Sequence, residues 1–180
     1  MISVNEIWDK KEGRGVWSKD PNDVNKLYGE ITEMGAIDII DLFKPTKDDV
    51  IIDIGSGVGR LCAHLAVETD ATVIGVELSE IRHREAVRMF GEYGLDNLRF
   101  IHGKYPISSI KKKPTMVIIH GCGFTRENAE TIWESLPKGC KVIHNVHKTK
   151  IFDKLKDKQK IKIGVSYLKL SGGAFNYGIK

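Results

Sequence analysis

The chain is predicted to fold as an α/β domain built on a mostly parallel sheet with helices on both faces. Three observations lead there. Short β-branched runs alternate five times with stretches of helical period. The first of these runs ends on a glycine cluster, as a tight strand-to-helix turn requires. Near the end, Ser171-Gly172-Gly173 separates two further runs and reads as a hairpin turn, which makes the last strand antiparallel.

The elements follow in order. Residues 28–43 carry Ile31, Met34, Ile37, Ile40 and Phe43, a helical stripe leading into the first strand at 50–54 (VIIDI). A helix from 58 to about 68 places Leu61 and Leu65 on one face. The second strand is 72–76 (TVIGV), after which Ser79 is the expected N-cap of a helix carrying Ile81, Ala86 and Phe90. Residues 98–101 and 116–119 read as strands three and four. A helix from about 125 to 136 ends at Pro137-Lys138-Gly139, ahead of a fifth strand at 140–146. Runs at 161–170 and 174–179 flank the terminal turn. In such a sheet the ligand is expected at the carboxyl ends of the strands, where the strand order reverses.

The 180 residues, 41% of them hydrophobic, suit one core and exclude a disordered or collagen-like chain. One domain over 1–180 is expected, with a helical segment at 1–49 and the sheet at 50–180. No apolar run reaches the ~20 residues of a membrane span, and the N-terminus lacks the apolar core of a signal peptide. Three cysteines without a CxxC pair make neither a disulfide framework nor a zinc site. A soluble intracellular protein is the expectation. Charge is unevenly spread: residues 1–137 hold 17 basic and 22 acidic side chains, residues 138–180 hold 11 and two. Lys148, Lys150, Lys154, Lys156, Lys158, Lys160 and Lys162 dominate the basic part. Two readings stay open, a nucleic-acid or acidic-protein contact and a lysine-blunted loop and strand edge.

Asp53-Ile54-Gly55-Ser56-Gly57-Val58-Gly59-Arg60 is the most informative stretch. A dinucleotide turn would have a small residue in the sixth position, where this chain has Arg60. A pyrophosphate would also be repelled by Asp53, at the strand end. S-adenosyl-L-methionine, with an ammonium, a sulfonium and no phosphate, would not. Glu77 closes the second strand 24 positions after Asp53, where an acid can accept from both ribose hydroxyls. The bland alternative is a tight turn and an unrelated glutamate.

The stretches YGEITEMGAIDIIDLF, DDVIIDIGSGVGRLCAHLAVET and GVELSEI resemble the catalytic core of the Dot-one (disruptor of telomeric silencing) histone lysine methyltransferases. That family lacks a SET domain and uses the seven-stranded Rossmann-like methyltransferase fold. The resemblance runs over about residues 26–146. It implies that Tyr28, Gly29 and Glu30 form a loop over the cofactor. It further implies that Asp53, Gly55, Ser56 and Gly57 cradle the methionine end and that Glu77 holds the ribose. Where the family has Asp-Phe at the adenine, this chain has Lys104-Tyr105, leaving Tyr105 to stack on the base. The family's Asn-Asn-Phe-Ala-Phe aligns with His120-Gly121-Cys122-Gly123-Phe124, and its pocket tyrosine with Tyr177, beside Phe175.

Methyl transfer to an amine needs an oriented, desolvated, neutral nucleophile. Tyr177, Phe175 and Phe124 are the expected aromatic channel, and His120 the group that positions the amine or accepts its proton. Cys122 reads as a core thiol, the tryptophans as packing residues, and His144 and His147 have no partner at metal-ligand spacing, so no metal is expected. The expected function is S-adenosyl-L-methionine-dependent methylation of a protein lysine, on a histone or nucleosome. The alternatives are another acceptor (a non-histone protein, RNA or a small molecule) and a cofactor-binding module without catalysis.

Overall fold

The computed structural model describes residues 2–9, 29–120, 124–146, 149–166 and 173–180. Tyr28, Cys122, His147, Lys148, Trp17 and the Ser171-Gly172 turn therefore lie outside the described residues.

The first strand, β1 (Val50–Ile54), is buried along its whole length, so both faces can carry β-branched residues. It pairs in parallel with β2 (Thr72–Glu77) on one side and β4 (Met116–Ile119) on the other. Beyond them lie β3 (Leu98–His102) and β5 (Lys141–His144), also parallel. Two antiparallel strands, β7 (Gly173–Ile179) and β6 (Lys156–Ile163), complete the sheet in the order β3-β2-β1-β4-β5-β7-β6. The order reverses between β1 and β4, and the crevice at their carboxyl ends is the place such folds offer a ligand.

One face of the sheet packs on α2 (Glu33–Phe43) and α3 (Arg60–Glu68) through Ile39, Phe43, Ile51, Leu65 and Ile118, all at most 1% exposed. The other face, with Ile52, Val117, Ile119 and Val142, meets α5 (Arg126–Ser135) and a 3-10 turn at Ile151–Lys154. Each isoleucine so buried contributes about 1.5–3 kcal/mol over an exposed one. The helix α4 (Glu80–Phe90) lies over β2 and β3, and the short α1 (Val4–Asp9) rests on α3. There Ile7 is fully buried, and Trp8 Nε1 donates to His64 Nδ1 at 2.7 Å.

Two elements differ from expectation. The stripe over 28–43 becomes helix only at Glu33, because the Thr32 hydroxyl accepts the Gly35 N–H and caps it. Residues before the cap are extended instead: Ile31 bridges Val165, Thr32 N donates to Gly164 O, and Ser166 N donates to Glu30 O. This junction is tight, since a Cβ on Gly35 would sit 2.5 Å from the Gly164 carbonyl. At the other end, the lysine run is itself the edge strand β6, starting five residues before the predicted apolar run. A bulge between Lys156 and Gln159, with Asp157 at φ 48°, re-aims it. Among the described residues, no helix is long and apolar enough to cross a membrane.

Candidate active site at the glycine turn

The turn after β1 needs its glycines. Gly55 stands at φ +87°, and a Cβ there would touch the Phe124 ring at 3.5 Å. Gly59, at φ +84°, packs so closely on β3 that a Cβ would fall 2.5 Å from Phe100. Helix–strand packing is thus served by Gly59, and the sixth residue, Arg60, need not be small. Its guanidinium is 1% exposed and ion-paired with Glu30 at 2.5 Å. Sequence reasoning missed this pair, although the arginine in a place usually given to a small residue was its signal.

Two carboxyl groups converge behind the turn. Glu77 is 5% exposed and accepts from two backbone N–H groups, Gly57 on Oε2 and Ser79 on Oε1, each at 2.8 Å. Ser79 opens α4 without a side-chain cap bond, and its backbone N–H serves Glu77. Asp53 faces α3, where the Cys62 thiol donates to its Oδ2 at 3.5 Å. Burial pushes the Asp53 carboxyl up to about 7; the Cys62 hydrogen bond opposes this and the nearby Glu77 charge adds to it. Burial likewise drives the Cys62 thiol up, keeping it a protonated donor. Ser56 Oγ is buried and has no hydrogen-bond partner among the described residues.

This donor set fits S-adenosyl-L-methionine. A buried pair of acids suits a cationic ligand, the Glu77 oxygens retain lone pairs for a diol, and Ser56 lacks a partner. A phosphate-bearing ligand would meet only repulsion from the two acids. Beside Glu77, Leu78 is half exposed, with its carbonyl 3.0 Å from His102 Nε2. This apolar platform was not foreseen.

Across the crevice, His120 follows β4 and lies tilted against Phe175, ring centroids 5.3 Å apart. Phe124 closes over Gly55 beside the His120 carbonyl, while Phe175, 1% exposed in the core, meets the His120 ring. Burial lowers His120 to about 4, well below the working range assumed for a proton acceptor. At neutral pH it is an uncharged imidazole, suited to orienting an amine and poorly suited to holding its proton.

Two further expected site residues have buried rings. Tyr177 pairs with Ile143 and lies against Phe43, ring centroids 6.2 Å apart, in the core. Through Ile118 and Ile143 the register sets Tyr177 level with Asp53, its ring turned toward Phe43 at the end of α2. Phe175 is two residues earlier on the same face, about 7 Å nearer the crevice, because β7 runs antiparallel. Tyr105 is 7% exposed within the cluster beneath α5 and hydrogen-bonds Ser135. Ser135 closes α5 at the end away from the turn, so the Tyr105 ring is a core ring. Lys104 is exposed, and Gly29 and Glu30 stand beside the turn through the Arg60 pair.

The model of the histone methylation protein DOT1 matches residues 21–166. This chain belongs to that family. Two relatives are histone-lysine N-methyltransferases specific for H3 lysine-79. That of Chaetomium globosum is 27% identical over 143 residues, 70% of this chain. That of Mycosarcoma maydis is 26% identical over 138 residues, 66% of this chain. The chain spans only 28% and 17% of their respective lengths. A 23S rRNA (uracil(1939)-C(5))-methyltransferase of Marinomonas sp. is 35% identical over 81 residues, 45% of this chain and 18% of its own length. Among solved structures, an RNA methyltransferase from Salinibacter ruber in complex with S-adenosyl-L-homocysteine shares the fold. Its TM-score is 0.63 at 20% identity, covering 82% of this chain and 90% of that one. The DOT1 fold thus supplies the seven-stranded sheet, with its antiparallel end, on which the crevice is built.

Proposed function

We propose that this DOT1-family chain is an S-adenosyl-L-methionine-dependent protein-lysine N-methyltransferase acting on a histone. The observation that carries the reading is the buried Asp53–Glu77 pair behind a glycine turn, in a chain whose DOT1 match covers residues 21–166. The bound cofactor would supply a methyl group activated on a sulfonium sulfur. Glu77 accepts from the ribose, Asp53 faces the cationic end, and Leu78 offers the adenine an apolar surface in place of Tyr105. Phe124, Phe175 and His120 wall the acceptor side. A lysine near its ordinary pKa of ~10.4 is protonated at pH 7, and an apolar wall lowers that value by desolvating the ammonium. The aromatic faces then tolerate the methylated cation. His120, neutral and fixed against Phe175, orients the amine.

The exposed β6 lysines favour a nucleosomal context, since a basic edge is drawn to DNA phosphates. The rRNA methyltransferase likeness is confined to less than half of this chain and speaks less for the acceptor than the DOT1 match does. Incubating core histones and assembled nucleosomes with the protein and cofactor, beside a Glu77→Ala control, tests the reading by mass spectrometry. Methyl-lysine that disappears in the control is expected. Cofactor binding without methylation of either substrate would move the acceptor to another protein or RNA.

A further inference from the structure

The two edges of the sheet are built differently. The β6 edge is guarded by lysines and a bulge, whereas β3 carries neither lysine nor proline. Along β3 the backbone groups alternate in direction. Val73 N donates to Asn97 O and Gly103 N to Glu77 O, so residues 97, 99, 101 and 103 face β2. The groups of Leu98, Phe100 and His102 face outward. Of these the Leu98 N–H is taken, donating to Leu95 O. Among the described residues, the Leu98 carbonyl, both Phe100 groups and the His102 N–H form an open row.

Beside this row lies an apolar groove lined by Val87, Phe90, Leu95, Leu98 and Phe100. The helix α4 runs opposite to β3 above it: His83 stacks on His102, and a Cβ on Gly59 would touch both Phe100 and Ala86. Val87, next to Ala86, is therefore level with Phe100, and it is 43% exposed.

The row is complementary to itself. Turned about a two-fold axis at Phe100, a second β3 lies antiparallel, with Phe100 against Phe100, Leu98 against His102 and Arg99 against Ile101. The two Phe100 residues exchange a pair of hydrogen bonds, and each His102 N–H meets a Leu98 carbonyl. The Leu98 N–H, already partnered, falls at the end of the ladder. No like charges stand directly opposite. Val87 meets its counterpart near the axis and covers the groove. A second copy also brings its edge already ordered, whereas a free peptide must lose chain entropy to match it.

We propose that β3 is a self-association edge, through which two copies of this chain join into one continuous sheet, seven strands from each. The antiparallel pairing turns the two crevices to opposite ends, so both stay open, and both β6 edges stay free.

Sedimentation velocity over a rising protein concentration is expected to show a species of twice the chain mass growing at the expense of the monomer. Amide hydrogen exchange read by NMR is expected to slow at Phe100 and His102 as that species grows, by at least about tenfold. Val87→Lys, at an exposed helix position, sets two like charges near the axis and is expected to weaken the dimer at least about tenfold. His102→Pro removes an outward N–H without touching the β2 ladder and is expected to weaken it too. Circular dichroism checks both folds. A chain monomeric at every concentration overturns the inference. So does a dimer whose Phe100 and His102 amides exchange as fast as in the monomer, or one that folded Val87→Lys leaves unchanged. Protection of these amides in a monomeric chain by an added extended peptide also overturns it, giving the edge to a different protein.

Discussion

Asp53 and His120 titrate in opposite senses, and each leaves a separable mark on stability. Asp53 in the folded protein holds its proton up to about pH 7, against 3.8 when unfolded. The stability it contributes is full below about pH 4 and is lost as pH rises to 7. His120 does the reverse: its folded pKa of about 4 lies below 6.5, so its contribution is present at neutral pH and lost on acidification. Urea titrations from pH 4 to 7 are expected to show Asp53→Asn removing the first slope and His120→Gln the second. Because the ligand's ammonium favours ionised Asp53, affinity for S-adenosyl-L-homocysteine is expected to tighten as pH rises through 7, and Asp53→Asn to flatten that profile. Glu77→Ala should abolish this binding and cost about 1–3 kcal/mol of stability, since the Gly57 and Ser79 N–H groups lose their acceptor. Phe175→Leu is expected to lower kcat with the cofactor KM unchanged, whereas Tyr177→Phe leaves kcat alone. At this scale the turn was legible because Asp53, Gly55, Gly57 and Glu77 lie in local motifs. The burial of the Tyr177 and Tyr105 rings was not, since where a ring reaches depends on register and packing partners.

The parallel strands were readable to within one or two residues, because buried β-branched runs such as 50–54 and 116–119 are bounded by polar ones. The ends of the chain were harder. The helical stripe at 28–43 continued through Ile31 on periodicity alone, yet Thr32 as a cap and Val165 as a bridge partner hold Ile31 in extended backbone. The edge strand β6 hid because its residues 156–160 are exposed and polar, the pattern of a loop. Its lysines give an element-level expectation. Replacing Lys158, Lys160 and Lys162 by Gln should weaken nucleosome or DNA binding alike for all DNA sequences. The slope of log affinity on log salt should flatten by about 0.9 for each phosphate contact removed. An unchanged slope in fluorescence anisotropy would assign these lysines to guarding the edge alone.

Across the whole molecule, the strand order puts the glycine turn, Glu77 and His120 at one end of the sheet, although they are spread over 66 residues from Gly55 to His120. The alternation of elements foretold this; the cover over the turn it did not. That cover joins Glu30 to Ser166, 136 residues away in sequence, and no local pattern announces so distant a pairing. The same pairing has a meaning in time. A chain emerging from the ribosome amino end first makes its glycine turn early. The extended pairing of residues 30–32, however, waits for residues 164–166 to emerge, although Thr32 can cap α2 and Glu30 can meet Arg60 before then. Ordering so long a loop is the slow part of a fold with distant contacts. The cover over the turn therefore forms only after residue 166 has been made, when β1 to β6 have all emerged.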